Sequence, residues 1–417
     1  MGPTLPNTII MDFLKNILRG DTQVWGLFFI TLLASGIVMY SASSTLAYRA
    51  SEYYVPISGH ISYLVFGAVV TVVFHNMPLR LIRGLTLLGY VPCVLLLMAV
   101  MATAQVNGAS RFIFGIQPSE PARLMTVGVL AYMLTHFRRA DGTYDSVHFW
   151  WMMGLCAAPV LLITVENFST GLLLAAVCFC MLFIGKLEWK RMRWLIAGGV
   201  AVIVLFFGGL KVLPYEMLPG RAKTWKARIE RSSEDLVTAK ITDENRQAQY
   251  GHMAIANGGL MGRFAGRGQI RDFLPQGFSD FVYSIIFEEW GLWGGGLTML
   301  IYLFLIWRVY NIYIRCKTEF PKLLLVGVSL LIVFQALMNM AVGVGLFLTG
   351  QPLPLISRGG SSIMVTCTYF SIISAISRLD RPDEGPEWQT SRSVEERMRQ
   401  ERDEQEAMEA QALADNE

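Results

Sequence analysis

Residues 323–348 read LLLVGVSLLIVFQALMNMAVGVGLFL, a run of 26 residues without a charged side chain. Crossing a bilayer core about 30 Å thick takes roughly 20 apolar residues of α-helix. The run therefore predicts a membrane-spanning helix. The whole chain agrees with this, because 53% of its 417 residues are hydrophobic and only 16% are charged, a balance that soluble domains do not show.

Ten apolar runs of this kind follow one another along the chain. They cover residues 24–44, 57–74, 85–104, 122–137, 149–165, 169–184, 194–213, 281–307, 323–348 and 362–376. Only Glu166, Asn167 and Phe168 separate the fifth run from the sixth. The sequence thus predicts an all-α integral membrane protein with ten transmembrane helices.

Lysine and arginine in the short connections predict the orientation, because positively charged loops stay on the cytoplasmic side. With the N-terminus inside, the connections predicted to be cytoplasmic hold 14 of these residues. The short outer connections hold only Arg49, Arg111 and Arg358. Both termini are therefore predicted to be cytoplasmic.

The predicted organisation is a cytoplasmic segment at 1–23, a membrane domain at 24–377 and a charged cytoplasmic tail at 378–417. Within the membrane domain, a large extracytoplasmic loop at 214–279 joins the seventh helix to the eighth. That loop is too long for a mere connector and is expected to carry function. The tail is predicted to be mostly disordered, with a solvated helix as the alternative.

Several functional classes find no support in the sequence. The net charge of +3 does not favour nucleic-acid binding. The six cysteines lie in or beside apolar stretches and read as packing residues. The sequence has no GxxxxGK[ST] phosphate loop, no HExxH or paired CxxC zinc motif and no GxSxG elbow.

Ionisable residues at the edge of a predicted span are candidates for function, because burying them is costly. In QPSEPARL (117–124), Ser119 is predicted to cap the fourth helix. Glu120 and Arg123 then share one helix face at i, i+3 spacing. They form either a substrate-facing pair or a neutralised pair that holds helices together.

The eighth span begins in FLPQGFSDFVYSIIFEEWG (273–291), where Asp280, Ser284 and Glu288 recur every four residues. Asp280 is expected at the outer interface, with Glu288 about 12 Å deeper. A partly desolvated carboxylate there suits a general base with a raised pKa, while a helix N-cap is the alternative. Glu288 and Glu289 are expected to bond to polar groups of other helices as readily as to do chemistry.

The last outer loop reads TGQPLPLISRGGSS (349–362). Its prolines and glycines predict irregular backbone close to membrane depth, which is tolerated only where it is buried in protein or lines a cavity. Arg358 supplies a fixed positive charge. The amides of Gly359 and Gly360 offer donors for an anion, with a simple tight turn as the alternative.

Four stretches together resemble the SEDS family of shape, elongation, division and sporulation proteins (FtsW, RodA and SpoVE). They are NGASRFIFGIQPSEPARL (107–124), MAIANGGLMG (253–262), FLPQGFSDFVYSIIFEEWGLWG (273–294) and TGQPLPLISRGGSS (349–362). The likeness runs from the first span to the tenth in the family's order. The last stretch and the charged tail resemble the division type, FtsW, more than the elongation type, RodA.

The resemblance implies a peptidoglycan glycosyltransferase that polymerises lipid II on the outer face of the cytoplasmic (inner) membrane, in septal wall synthesis. The family's proposed catalytic aspartate falls on Asp280. The resemblance and the charge pattern together give the candidate substrate-binding residues Asn107, Arg111, Gln117, Ser119, Glu120, Arg123, Ser357, Arg358, Gly359, Gly360 and Ser361. No metal ligand is indicated, and a divalent cation as cofactor stays open.

The chain departs from the family pattern at several positions. Gln276, Phe278 and Ser279 stand where Glu, His and Thr are usual before the aspartate, and Arg123 stands for a lysine. ENFSTG (166–171) replaces QPDxGT, which puts the ion pair expected there in doubt. GRFAGRGQ (262–269) is a degraded glycine-rich stretch.

The implied partners are lipid II, a class B penicillin-binding protein that crosslinks the new strand, and other divisome proteins. The alternatives are a lipid II flippase, the elongation-type polymerase and a non-catalytic scaffold. A transporter usually places its polar site near the midplane between internal repeats. Here the polar residues gather at the outer side, which favours catalysis.

Overall fold

The computed structural model describes residues 17–43, 54–107, 117–217, 223, 225–227, 246–274, 277–346 and 350–380. These residues form eleven α-helices and contain no β-strand beyond an isolated bridge between Arg138 and Tyr144. The helices are α1 Thr22–Ala42, α2 Tyr54–Asn76, α3 Leu79–Asn107, α4 Ser119–His136, α5 Ser146–Glu166, α6 Phe168–Ile184, α7 Trp189–Val212, α8 Arg246–Gly258, α9 Val282–Arg315, α10 Glu319–Gly343 and α11 Gly360–Ser377.

Each of the ten predicted runs coincides with a helix, α1 to α7 and α9 to α11. Eight of these helices are long and apolar enough to cross a membrane. The other two are α6, which has only 17 residues, and α4, which carries Glu120 and Arg123 in its first turns. An all-helical membrane protein is thus confirmed, while the crossing of all ten helices stays a prediction.

The fifth and sixth runs are separate helices, because α5 ends at Glu166 and α6 begins at Phe168. Asn167 alone joins them. Its side-chain oxygen accepts a hydrogen bond from the Thr170 amide at 3.5 Å, which caps α6.

The centre of the bundle is α10, most of whose residues are buried. A glycine lets its neighbours approach closely: a Cβ built on Gly327 would lie 2.4 Å from Val127 of α4 and 2.6 Å from Met181 of α6. The opposite case is α7, where Met192 and Leu210 are the buried residues and nearly every other side chain is at least partly exposed. Apolar surface of this kind faces lipid.

Helix α9 is kinked at Gly291, whose φ of 64° and ψ of −160° fit glycine and strain other residues. Residues 282–289 before the kink are almost entirely buried. After the kink, large apolar side chains such as Trp293 and Leu297 are exposed. Helix α9 therefore consists of a first segment, 282–290, that is buried except for Trp290 and Phe287, and a second segment, 292–315, that carries exposed apolar side chains.

The long connection between α7 and α9, residues 214–279, hydrogen-bonds to the α9 backbone at this kink. In a regular helix the amide of residue 292 would bond to the carbonyl of residue 288, but here both bond to the loop. The bonds run from Leu292 N–H to Gly259 O, from Arg263 N–H to Glu288 O and from Phe264 N–H to Glu289 O, at 3.0, 2.9 and 2.8 Å. The interrupted helix therefore keeps its backbone groups paired.

Helix α8 lies in this connection and packs against the first segment of α9, residues 282–290. The approach is close, since a Cβ on Gly258 would lie 1.9 Å from the carbonyl oxygen of Phe287. The 66-residue connection is thus more than a flexible linker, because the helix α8 within it packs against α9.

Glu288 is buried and bonds to another helix, as expected. Its carboxylate accepts hydrogen bonds from the Asn257 side chain of α8 at 3.0 Å and from the Gln269 and Ile270 amides at 2.8 and 2.9 Å. Glu289 likewise bonds to another helix, through Ser41 of α1, and also pairs with Arg271.

We expect Gly291→Ala to lower the melting temperature of the purified protein clearly. Alanine would be forced into a strained conformation that costs about 1–3 kcal/mol, and its Cβ would lie 2.4 Å from the Leu260 carbonyl oxygen. The matched control is Gly296→Ala in the same helix, where nothing lies within 4 Å of the added carbon. Similar melting temperatures for the two variants would contradict this account.

Candidate functional site

Asp280 lies in the turn that precedes α9, and its side chain is half-buried. The Ser279 hydroxyl donates to one carboxylate oxygen at 2.9 Å. The backbone of Gly350 lies against the other, since a Cβ there would be 2.0 Å from Asp280 Oδ2. Phe281, not Asp280, occupies the N-cap position of α9. The Asp280 side chain thus lies between buried core and exposed surface, and the N-cap alternative is wrong.

The backbone of the Asp280 turn is fixed by three donors from elsewhere in the chain. Three consecutive carbonyls each accept a hydrogen bond. The bonds run from Arg358 N–H to Phe278 O at 3.0 Å, from Ser357 Oγ to Ser279 O at 2.6 Å and from Asn339 Nδ2 to Asp280 O at 3.0 Å. The aspartate is therefore held in place by α10, which carries Asn339, and by the loop that carries Ser357 and Arg358.

That loop, residues 350–359, is irregular and largely buried, as the sequence predicts. Leu353, Leu355 and Ile356 are each 1% exposed. Leu355 has a φ of 62°, in the left-handed region that non-glycine residues seldom adopt. Buried irregular backbone needs other partners for its polar groups.

Side chains from four surrounding positions supply those partners. They donate to the loop carbonyls from α1, α9 and α10. The bonds run from Asn339 Nδ2 to Gln351 O at 2.6 Å, from Gln335 Nε2 to Pro352 O at 3.0 Å, from Tyr302 OH to Pro354 O at 2.7 Å and from Ser35 Oγ to Leu355 O at 2.6 Å. Each donor sits within an apolar run, and that isolation is the sequence signal that could have identified them.

The predicted pair Glu120–Arg123 forms a buried salt bridge, in which Arg123 is 0% exposed. Arg123 Nη1 also donates to Gln335 Oε1 at 2.9 Å. Gln335 in turn donates a hydrogen bond to the Pro352 carbonyl, so the pair is connected to the loop through Gln335. The geometry supports positioning of the loop, and direct contact with a substrate stays a prediction for both residues.

Ser119 is not the cap of α4. Pro118 takes that position with helical dihedrals, φ −62° and ψ −24°, so Ser119 is already the first helical residue. Its buried hydroxyl has no hydrogen-bond partner among the described residues. The Gln117 carbonyl accepts from the Glu120 amide at 3.1 Å. Asn107 ends α3, but its side chain and all of Arg111 lie outside the described residues.

Arg358 is half-buried, and its guanidinium lies 6.0 Å from the centre of the Phe278 ring. Burial lowers the pKa of Arg358, opposed by the nearby Tyr63 phenol, and an arginine stays charged at neutral pH. Gly359 precedes α11 without a side-chain cap, which leaves the first amides of α11, at Gly360 and Ser361, beside this charge. The arrangement suits an anion.

The segment 166–171 also reaches the loop. Gln351 donates through its side chain to the Thr170 hydroxyl. Gln351 and Thr170 are both uncharged, so this contact is a neutral hydrogen bond, whereas the family pattern implies an ion pair in this segment. Within the described part of the chain, no group of three or more His, Cys, Asp or Glu residues could hold a metal ion.

Comparison with known proteins gives consistent matches along most of the chain. The model of the FtsW, RodA and SpoVE family, described as a cell cycle protein, matches residues 21–381. A relative from Geobacter metallireducens, named probable peptidoglycan glycosyltransferase FtsW, is 29% identical over 377 residues, which covers 87% of this chain and 96% of the relative. A relative of the same name from Marinobacter nauticus is 30% identical over 376 residues, covering 85% and 88%.

Solved structures share the fold. A chain of a peptidoglycan synthase complex, studied for the structural coordination of polymerization and crosslinking, superimposes with a TM-score of 0.68 at 22% identity, covering 87% of this chain and 99% of that chain. The rod shape determining protein RodA of Thermus thermophilus gives a TM-score of 0.60 at 22% identity, covering 87% and 98%. These likenesses establish the architecture.

We expect Asn339→Leu to destabilise the loop and the Asp280 turn together. The change removes the donor that serves both Gln351 O and Asp280 O, and an unsatisfied buried group costs about 1–3 kcal/mol. Thermal unfolding and hydrogen exchange across residues 350–359 measure the effect. Asn311→Leu is the control, because Asn311 is only partly buried and its solvent-exposed hydrogen bond goes to Trp307 O within its own helix. Unchanged exchange in Asn339→Leu would contradict the assignment.

Proposed function

Because this chain belongs to the FtsW, RodA and SpoVE family of cell cycle proteins, we propose that it is a peptidoglycan glycosyltransferase. Its substrate is lipid II, which it polymerises on the outer face of the cytoplasmic membrane. The names of the Geobacter and Marinobacter relatives support this activity. The observation that carries the proposal is the half-buried Asp280 carboxylate, which rests against Gly350 and whose turn is hydrogen-bonded to Arg358.

The proposed chemistry is an inverting glycosyl transfer. A sugar hydroxyl of the acceptor attacks the anomeric carbon of the donor, and the bond from that carbon to the undecaprenyl diphosphate breaks. The hydroxyl must lose its proton as it attacks. Asp280 accepts that proton as general base, a contribution typically worth about a hundredfold to ten-thousandfold.

The leaving diphosphate needs positive charge that is fixed before the reaction. Arg358 is suited to this role for two reasons. Its backbone amide bonds to the carbonyl of Phe278, two residues before Asp280, and its side chain is half-buried. The amides of Gly360 and Ser361 add donors at the start of α11. Ser357 positions the site by bonding to Ser279 O and by accepting from the Leu353 amide at 2.7 Å.

The remaining predicted substrate residues have different proposed roles. Glu120 and Arg123 support the loop from behind, through Gln335. Asn107, Arg111, Gln117 and Ser119 precede or begin α4 and stay candidates for contacts with the sugars. In this proposal the two polyprenyl tails remain in the lipid between and around the helices while the sugars react.

The division-type assignment is favoured over the elongation type by the relatives, which are named FtsW. We propose that both termini are cytoplasmic and that the partners are a class B penicillin-binding protein and other divisome proteins. The architectural likeness to a chain from a peptidoglycan synthase complex supports such a partner. A lipid II flippase is disfavoured, since the polar residues of the site meet at one end of α9 and α11 instead of near their midpoints.

Asp280→Asn tests the mechanism directly. The variant keeps the size of the side chain and removes the base, so we expect a folded protein whose polymerisation rate falls at least about a hundredfold. The assay follows the conversion of labelled lipid II into glycan chains that lysozyme digests, with and without a class B penicillin-binding protein. Asp272→Asn is the control, because Asp272 is exposed on the same outer loop. Full activity of Asp280→Asn would remove Asp280 from the mechanism.

Arg358→Ala tests the anion contact. We expect kcat/KM for lipid II to fall at least about tenfold, in line with the loss of a charged hydrogen bond, while the melting temperature changes little. Arg358→Lys keeps the charge but not the forked donor geometry, so it should retain an intermediate activity. A parallel loss of stability and activity in Arg358→Ala would instead assign the residue to the fold.

A further inference from the structure

Helix α2 flanks Arg358 through two aromatic side chains that lie one turn apart, His60 and Tyr63. On one side of Arg358, the ring of His60 reaches the loop through Ser35, whose hydroxyl lies 2.9 Å from His60 Nε2 and 2.6 Å from Leu355 O. On the other side, a Cβ on Gly360 would lie 2.8 Å from the Tyr63 ring. Arg358 lies in the chain between Leu355, which bonds to Ser35, and Gly360, which contacts Tyr63, so it belongs to the part of the loop that packs against this face of α2.

The hydrogen bonds assign the tautomer of His60. A serine hydroxyl has one hydrogen to donate, and the Ser35 hydrogen goes to the Leu355 carbonyl, the shortest of its contacts. The same oxygen must then accept from His60 Nε2–H. A neutral imidazole with its hydrogen on Nε2 carries a lone pair on Nδ1.

Two complementary atoms are left over at this place. His60 is 1% exposed, and its Nδ1 has no hydrogen-bond partner among the described residues. Arg358 Nη1, also buried, has none within the same described part of the chain. Nδ1 is an acceptor and Nη1 is a donor, and leaving either one buried and unpaired costs free energy.

We infer that His60 is a positioning residue for Arg358: a rotation of the guanidinium that pairs one N–H with the neutral Nδ1 satisfies both atoms, which are unpaired in the structure, and directs the remaining donors at the diphosphate of the lipid-linked donor. The inference rests on the proposed function for the identity of the anion. The fork of an arginine has five N–H groups, so one bond to His60 leaves enough to bind phosphate oxygens bidentately. Supporting residues that orient a ligand in this way affect activity about tenfold to a hundredfold when they are replaced.

Two substitutions separate this role from a purely structural one. The side-chain amide of asparagine lies near the place of Nδ1, whereas that of glutamine lies near the place of Nε2. His60→Asn should therefore keep the contact to Arg358 and lose the one to Ser35, and His60→Gln should do the reverse. We expect His60→Gln to lose about tenfold in affinity for the anion, and His60→Asn to stay close to the parent.

The probe is undecaprenyl diphosphate, bound to the purified full-length chain in lipid nanodiscs without turnover. Each variant is measured alone and in combination with Arg358→Ala. If His60 acts through Arg358, its substitutions should have no further effect on affinity in the Arg358→Ala background. Ser35→Ala, which leaves the ring in place but releases its tautomer, should lower affinity in the same Arg358-dependent manner and serves where a His60 variant is unstable.

The outcomes are distinct. Retained affinity in His60→Gln with loss in His60→Asn, or additive effects with Arg358→Ala, would overturn the inference. If the parent chain polymerises no lipid II and yet the affinities follow the expected cycle, the proposed function fails and the role of His60 stands. If the parent polymerises lipid II and the His60 and Ser35 variants bind the probe like the parent, the proposed function stands and the role of His60 is wrong.

Discussion

The site depends on one buried amide, the side chain of Asn339 in the central helix α10. Its nitrogen donates both to the Gln351 carbonyl and to the Asp280 carbonyl. Irregular backbone at membrane depth has no water to bond with, so every such donor is needed. Because one side chain bonds to both segments, the burial of the loop and the placement of Asp280 depend on the same residue, Asn339.

Charge is distributed across the site in a way that suits catalysis. The buried pair of Glu120 and Arg123 is internally neutralised and reaches the loop through Gln335. Asp280 and Arg358, by contrast, are both partly exposed. A buried, neutral support beneath a charged and accessible edge is the arrangement expected of a preorganised electrostatic site.

The sequence predicted the helices well, because each long apolar run has to become a helix in lipid. It also predicted the buried irregular loop, because proline and glycine exclude a regular helix there. It did not predict that Asn339 would meet Asp280, since that contact joins residues 59 positions apart and is set by the packing of α9 on α10. The kink at Gly291 was hidden for another reason: Gly291 is one of four glycines between residues 291 and 296, and only the loop that bonds to residues 288, 289 and 292 shows which of them breaks the helix.

The hydrogen bonds at the α9 kink have a mechanical consequence. Segment 282–290 and loop residues 259–264 share backbone hydrogen bonds and close glycine contacts. Asp280 lies two residues before that segment begins. A force applied to residues 259–264 is therefore expected to pass directly into the helical segment that follows the carboxylate, because no flexible connection lies between them.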